Sequence, residues 1–98
     1  MGFFRRIPKI IFTAMLTATL LPLASAQATI VHVDGGTWDY GTTSNSVWSH
    51  YHHPGVKHGS TAIGKYKADS GCVLKNQWSR ASAEKGFFQT GQSYYRRC

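Results

Sequence analysis

Four imidazoles crowd one short stretch of the chain. His50, His52, His53 and His58 lie within nine residues, interleaved with Trp48 and Tyr51 and bordered by Lys57. Imidazole ligates zinc and copper and gains charge in mild acid. On an extended strand His50 and His52 share a face, which makes a two-histidine metal arm feasible. A structural zinc site takes four ligands at closer to fixed spacing, and no Cys lies near these histidines, so neither a metal nor a cofactor is expected. Trp38, Tyr40, Trp48 and Tyr51 are flat aromatic platforms with polar edges, suited to sugars. Lys57, Lys65, Lys67, Lys75 and Arg80 supply the charge that a pyrophosphate demands.

The chemistry that is missing narrows the field. Beyond the first 26 residues the carboxylates are Asp34, Asp39, Asp69 and Glu84, and none is spaced to pair an acid with a base as glycoside hydrolysis requires. No Gly-x-Ser-x-Gly elbow, phosphate loop or metalloprotease helix occurs. Binding rather than enzyme catalysis is the expectation.

The elements that position these residues begin after a leader. Arg5, Arg6 and Lys9 precede the uncharged, largely apolar run Ile10–Leu23, and Ala24-Ser25-Ala26 follows. These are the three parts of a cleavable secretory signal peptide, and the run is shorter than the roughly 20 residues of a spanning helix. The expected boundaries are a signal peptide at 1–26 and a secreted extracellular domain at 27–98. That domain keeps eight of the 11 basic residues, all four acidic ones and all five His, so part of the net charge of +7 belongs to the leader. If every His took a proton below about pH 5.5, an anionic target would be held more tightly in mild acid.

Within 27–98, Gly35-Gly36, Gly41 to Ser46, Pro54-Gly55, Gly64, Asp69-Ser70-Gly71, Gly86 and Thr90-Gly91 punctuate segments of strand length. Thr29–Asp34, Thr37–Tyr40, Val47–His53 and Ser93–Tyr95 have strand composition. In the third, Val47, Ser49, Tyr51 and His53 face one way and Trp48, His50 and His52 the other. Residues 73–85 are ambiguous: Leu74, Trp78 and Ala81 have helical spacing, whereas Ala81 and Ala83 alternate with polar neighbours at strand period. The expected architecture is all-β, two small antiparallel sheets packed face to face with the Trp and Tyr residues between them. So small a core benefits from a staple. In an oxidising compartment Cys72 and Cys98 are expected to pair within the chain, with a bridge between chains through the terminal Cys98 as the alternative.

Gly36-Thr37-Trp38 with Gly41 soon after, the block Trp48-Ser49-His50-Tyr51-His52-His53, then Lys57-His58-Gly59-Ser60-Thr61-Ala62, Trp78 followed by Ala81, and the closing Ser93-Tyr94-Tyr95 together resemble the lactococcin 972 family of secreted bacteriocins. The resemblance runs from about Gly36 to Tyr95. It implies a β-sandwich that kills related Gram-positive bacteria by binding the cell-wall precursor lipid II and blocking septum formation without pores. It also implies an immunity or export protein in the producer, leaves a homodimer open, and involves no nucleic acid. Trp48, Tyr51, His53, Lys57 and His58 are the expected target contacts. The two cysteines and the ending Arg96-Arg97-Cys98 depart from the founding member, whose mature peptide has no cysteine and ends in aromatic residues. The competing expectation is a secreted carbohydrate- or metal-binding module that does not kill.

Overall fold

A computed structural model describes residues 26–98. The expected signal peptide lies outside the described residues apart from Ala26. Seven strands follow in order: β1 (Gln27–Val33), β2 (Gly36–Thr42), β3 (Ser46–His52), β4 (His58–Ile63), β5 (Lys67–Asp69), β6 (Trp78–Glu84) and β7 (Gln92–Arg97). They form two antiparallel sheets, a four-stranded one in the order β1-β2-β3-β6 and a three-stranded one in the order β5-β4-β7. The described residues contain no helix. The second half of the ambiguous segment, Trp78–Glu84, is a strand because Ser79, Ala81 and Ala83 turn inward at period two while Trp78, Arg80, Ser82 and Glu84 turn outward; residues 73–77 before it are a bridge and a turn.

Asp34 and Gly35 at the β1–β2 turn both have positive φ, 53° and 84°. That is the two-residue turn whose twist matches antiparallel strands, and Asp-Gly is among its preferred sequences. The turn sets the register Val33↔Gly36 through Gln27↔Thr42. The three-stranded sheet packs on β3 and β6, with less contact to β2, so β1 overhangs as a free edge exposed along nearly its whole length.

Between the sheets the expected aromatic core is only partly formed: Tyr51 packs against Tyr95 of β7 with ring centroids 4.6 Å apart, and Trp38 lies 4.8 Å from Tyr95 and 3.9 Å from Tyr40. Tyr51 is the fully buried aromatic ring; Trp38 and Trp48 are half-buried, Trp78 is 39% exposed, and Tyr66 and Tyr94 lie about half in water. Val47, Ala62, Ala81 and Ala83 make the apolar centre, and buried serines complete it. Ser60 and Ser79 hydroxyls meet at 2.6 Å across the sheets, and Ser79 Oγ donates to the Tyr51 carbonyl at 3.0 Å. Ser49 Oγ donates to Tyr94 O at 2.7 Å and Ser93 Oγ to Trp48 O at 2.8 Å. Each buried hydroxyl thus finds a partner, which removes the penalty of taking it out of water. Small residues allow this because the main chain of one sheet must come within reach of a serine on the other.

The three-stranded sheet is tied on its outer surface by one clamp. Asp69 on β5 receives both guanidinium nitrogens of Arg96 on β7, at 2.7 and 3.0 Å, and the hydroxyl of Thr61 on the intervening β4. The Arg96 bonds, then Thr61, hold the Asp69 carboxyl well below its usual range. A depressed carboxylate pKa adds stability that is present above about pH 4, the unfolded value, and is lost as pH falls through the folded one. Both partners are more than a third exposed, so screening by water limits the pair to about 1 kcal/mol. Asp69→Asn should therefore melt below the wild type at pH 7, and the gap should shrink as both are titrated toward pH 2. A gap independent of pH would assign the effect to something other than the carboxylate.

Candidate functional site

Register, rather than proximity in sequence, assembles the most distinctive surface. On the face of the four-stranded sheet that points away from the other sheet, three rows run across the strands. The first is His32–Thr37–His52–Trp78, the second Ile30–Asp39–His50–Arg80, and the third Ala28–Gly41–Trp48–Ser82. In a β-sheet, residues directly opposite one another share a face, so β1, β2, β3 and β6 each contribute to one array.

Local contacts hold the array in shape. Trp48 Nε1 donates to Asp39 Oδ1 at 3.1 Å, and its ring covers Gly41, where an added Cβ would lie 2.7 Å from the indole. Glycine at position 41 is what lets the indole lie down on β2. The His52 and Trp78 rings stand 5.4 Å apart, and the Arg80 guanidinium sits 5.5 Å from the centre of the Trp78 ring, within cation–π range. Burial, followed by the charge of Arg80, holds the His50 pKa below its ordinary value, with Asp39 opposing. The first row ends in an open cleft of about 450 Å³ lined by His32, Thr37, His52, Pro54 and the β1–β2 turn. The face offers hydrogen-bond donors, one guanidinium and two indoles, a combination that fits a polar ligand carrying sugars and an anionic group.

The five expected contact residues do not form one surface. Trp48 lies on the outer face and Lys57 is exposed on the β3–β4 loop beside the terminal cysteine, whose N–H it accepts at 2.9 Å. Tyr51, His53 and His58 are only 0%, 8% and 0% exposed. Their polar atoms are used internally. Tyr51 Oη donates to Val33 O at 2.9 Å, and His53 Nε2 bonds Asp34 O while its Nδ1 accepts the N–H groups of Gly55 and Val56. Both ring nitrogens of His58 meet main-chain carbonyls, those of Val56 and Gln77. These three side chains brace the loop after β3 and leave almost no surface for a ligand in this conformation. The charge gain expected of all five His in acid is smaller at His50, which burial and then the charge of Arg80 shift toward its neutral form. Among the described residues no three His, Cys, Asp or Glu side chains gather as a metal site would require.

His32, Asp39 and Ile30 were not legible as site residues, and Trp78 reads as core from sequence. The signal was present only as alternation: each stands at an outward position of its strand.

The pairing of Cys72 with Cys98 is intramolecular. Residues 34–95 match the family described as Bacteriocin (Lactococcin_972). The chain belongs to this bacteriocin family. A search of curated protein sequences finds no match. The solved structure of lactococcin 972 is 23% identical, with a TM-score of 0.57 over 64% of this chain and 98% of that one, and shares the fold. As a member of a bacteriocin family the protein is a secreted antibacterial peptide; the family is not a class of enzymes. No helix among the described residues is long and apolar enough to cross a membrane.

Proposed function

We propose that this bacteriocin, released by cleavage after Ala26 as residues 27–98, sequesters a cell-wall precursor, lipid II, and so blocks septum formation in related Gram-positive cells without opening pores. The observation that carries the reading is the uncovered outer face of the four-stranded sheet, on which Trp48, Trp78, His50, His52 and Arg80 stand together. Binding here is stoichiometric and non-covalent. Trp48 and Trp78 stack on the sugars, Arg80 and the His32–His52 cleft take the pyrophosphate, and Tyr51, His53 and His58 act from beneath by fixing the strands and the loop after β3. Lys57, at the far side of that loop, adds positive charge toward a negatively charged cell surface. The producer is protected by a dedicated immunity or export protein.

The test is to add the secreted, oxidised peptide to growing indicator cells while recording growth, cell shape and membrane potential, with and without purified lipid II. Growth arrest with aberrant septa, an intact potential and rescue by lipid II is the expected result. Arrest that lipid II does not relieve would remove it as the receptor. A folded peptide that arrests no strain in a broad panel yet binds cell-wall glycan would be a passive carbohydrate-binding module, which the same aromatic face would also suit.

A further inference from the structure

The β6–β7 loop presents two aromatic rings that the proposed target face does not use. Phe87 is 68% exposed and Phe88 95%, and their rings pack edge to face with centroids 4.9 Å apart. Exposed phenylalanines on a slack loop would mean little, but this loop is held at both ends. Lys85 is buried, its N–H bonds Asn45 O at 3.0 Å, and its ammonium donates to Ser44 O and Gly86 O. Gln89 closes the turn: its Oε1 accepts the Gly86 N–H at 2.9 Å, its Nε2 donates to Gly64 O at 2.7 Å, and its own N–H bonds Gly86 O. Gly91 on the return leg packs on Val47, where an added Cβ would lie 2.8 Å from the valine. The legs are rigid and the tip between them carries only the two rings.

The surroundings of the tip indicate what meets it. Gln89 fastens the loop to the β4–β5 turn, whose Lys65 N–H bonds Glu84 O at 2.7 Å and whose Tyr66 hydroxyl accepts the Glu84 N–H at 3.3 Å. Lys65, Tyr66 and Lys67 are all exposed there, against the single acid Glu84. An apolar convex tip beside lysines and a half-exposed tyrosine has the composition of an interfacial membrane anchor: rings enter the acyl boundary while cations and the phenol stay among the headgroups. A projecting pair of rings offers no concave shape for a folded partner to fill. Anionic headgroups complement the excess of lysine.

We infer that the Gly86–Gln89 loop docks the protein on an anionic phospholipid surface, with Phe87 and Phe88 inserted at the headgroup–acyl boundary. This goes beyond the precursor-binding reading and needs no lipid II. It places the protein on the bilayer by one end of the sandwich in a docking pose that precedes precursor capture and is distinct from it, since β3 runs from Ser46, paired with Glu84 near this loop, to His52, paired with Trp78 beside the cleft at the other end.

The protein secreted into medium by an expressing host is incubated with sedimentable vesicles of phosphatidylglycerol or of phosphatidylcholine, both free of lipid II, beside Phe88→Ser and Phe87→Ser/Phe88→Ser. Phe88 touches little but Phe87, so its single variant keeps the fold, which circular dichroism and the intact disulfide verify. The wild type should partition to phosphatidylglycerol, and less to phosphatidylcholine. The single variant should partition several-fold less and the double variant at least tenfold less. Absence of wild-type binding, or undiminished binding by the folded variants, overturns the inference. So does a wild-type dimer in sedimentation that the double variant converts to monomer, because the rings then cover a second copy. Binding of a water-soluble, short-chain precursor analogue, measured in parallel, reports on the outer face alone. Its absence in a wild type that still binds vesicles would refute the precursor reading and leave this one standing.

Discussion

Replacing Trp48 and Trp78 together by alanine should lower antibacterial potency by about a hundredfold or more while leaving the disulfide-closed fold in place. Aromatic side chains that anchor a ligand are commonly worth about 2 kcal/mol or more each on truncation, and two of them on one face make a loss of this size. The stability side of the comparison is unequal. Trp78 sits on β6, at the border of the four-stranded sheet, with His52 and Arg80 as ring neighbours, so its loss should cost little. Trp48 covers Gly41 and bonds Asp39, so its removal should cost about 1 kcal/mol through the lost hydrogen bond and ring contact. The control is Tyr51→Ala, which empties a fully buried site between the sheets and should cost about 3–5 kcal/mol. All these variants lose killing, but only Tyr51→Ala should lose its cooperative melting transition, followed by far-ultraviolet dichroism. Potency retained by the folded double-tryptophan variant would remove the outer face from target contact.

The strand segments were legible because glycine and small polar residues mark the turns and because β3 and β6 alternate cleanly. Val47, Ser49, Tyr51 and His53 turn inward as their alternation requires. What the sequence concealed was which face was which. Hydrophobicity normally decides that, and here the inner face mixes Val47, Tyr51 and Trp38 with Ser49, Ser60, Ser79 and His58, while the outer one carries Trp48 and Trp78. The mixing is possible because hydrogen bonds across the sheets satisfy the hydroxyls, a property of three-dimensional approach that no local pattern encodes. The histidine block misleads for a related reason. Its four members look like one cluster in sequence, yet period-two alternation sends His50 and His52 outward, while His53 and His58 become internal struts. His32 joins the outer pair only through the β1–β2 turn and the pairing of β2 with β3, both non-local facts.

A core of one tyrosine, one valine, three alanines and paired serines buries little apolar surface for a domain, which makes the second large prediction one of stability. Removing the Cys72–Cys98 bridge, by Cys72→Ser/Cys98→Ser or by reduction, should cost about 3–4 kcal/mol, the loop-closure entropy returned to the unfolded chain for a separation of 26 residues. For a domain of this size each kcal/mol shifts the melting temperature by about 4–8 °C, so the fall should be roughly 12–32 °C. The bridge acts where few other contacts hold. It joins the end of β7 to a segment that is tied to β4 by the hydrogen bonds between Val73 and His58, at 2.7 and 3.1 Å, and between Ser70 and Ser60, both at 2.9 Å. Because His58 also braces Val56 and Gln77, release of that segment should loosen the loop after β3 before it disturbs the outer rows. Urea unfolding of oxidised and reduced protein at 10 °C checks both parts. The midpoint should fall on reduction, while growth inhibition by the still-folded reduced fraction should persist. A loss below about 1 kcal/mol would mean that the serine-lined interface holds the fold without its staple, and that hydrogen bonds across it contribute more than burial does.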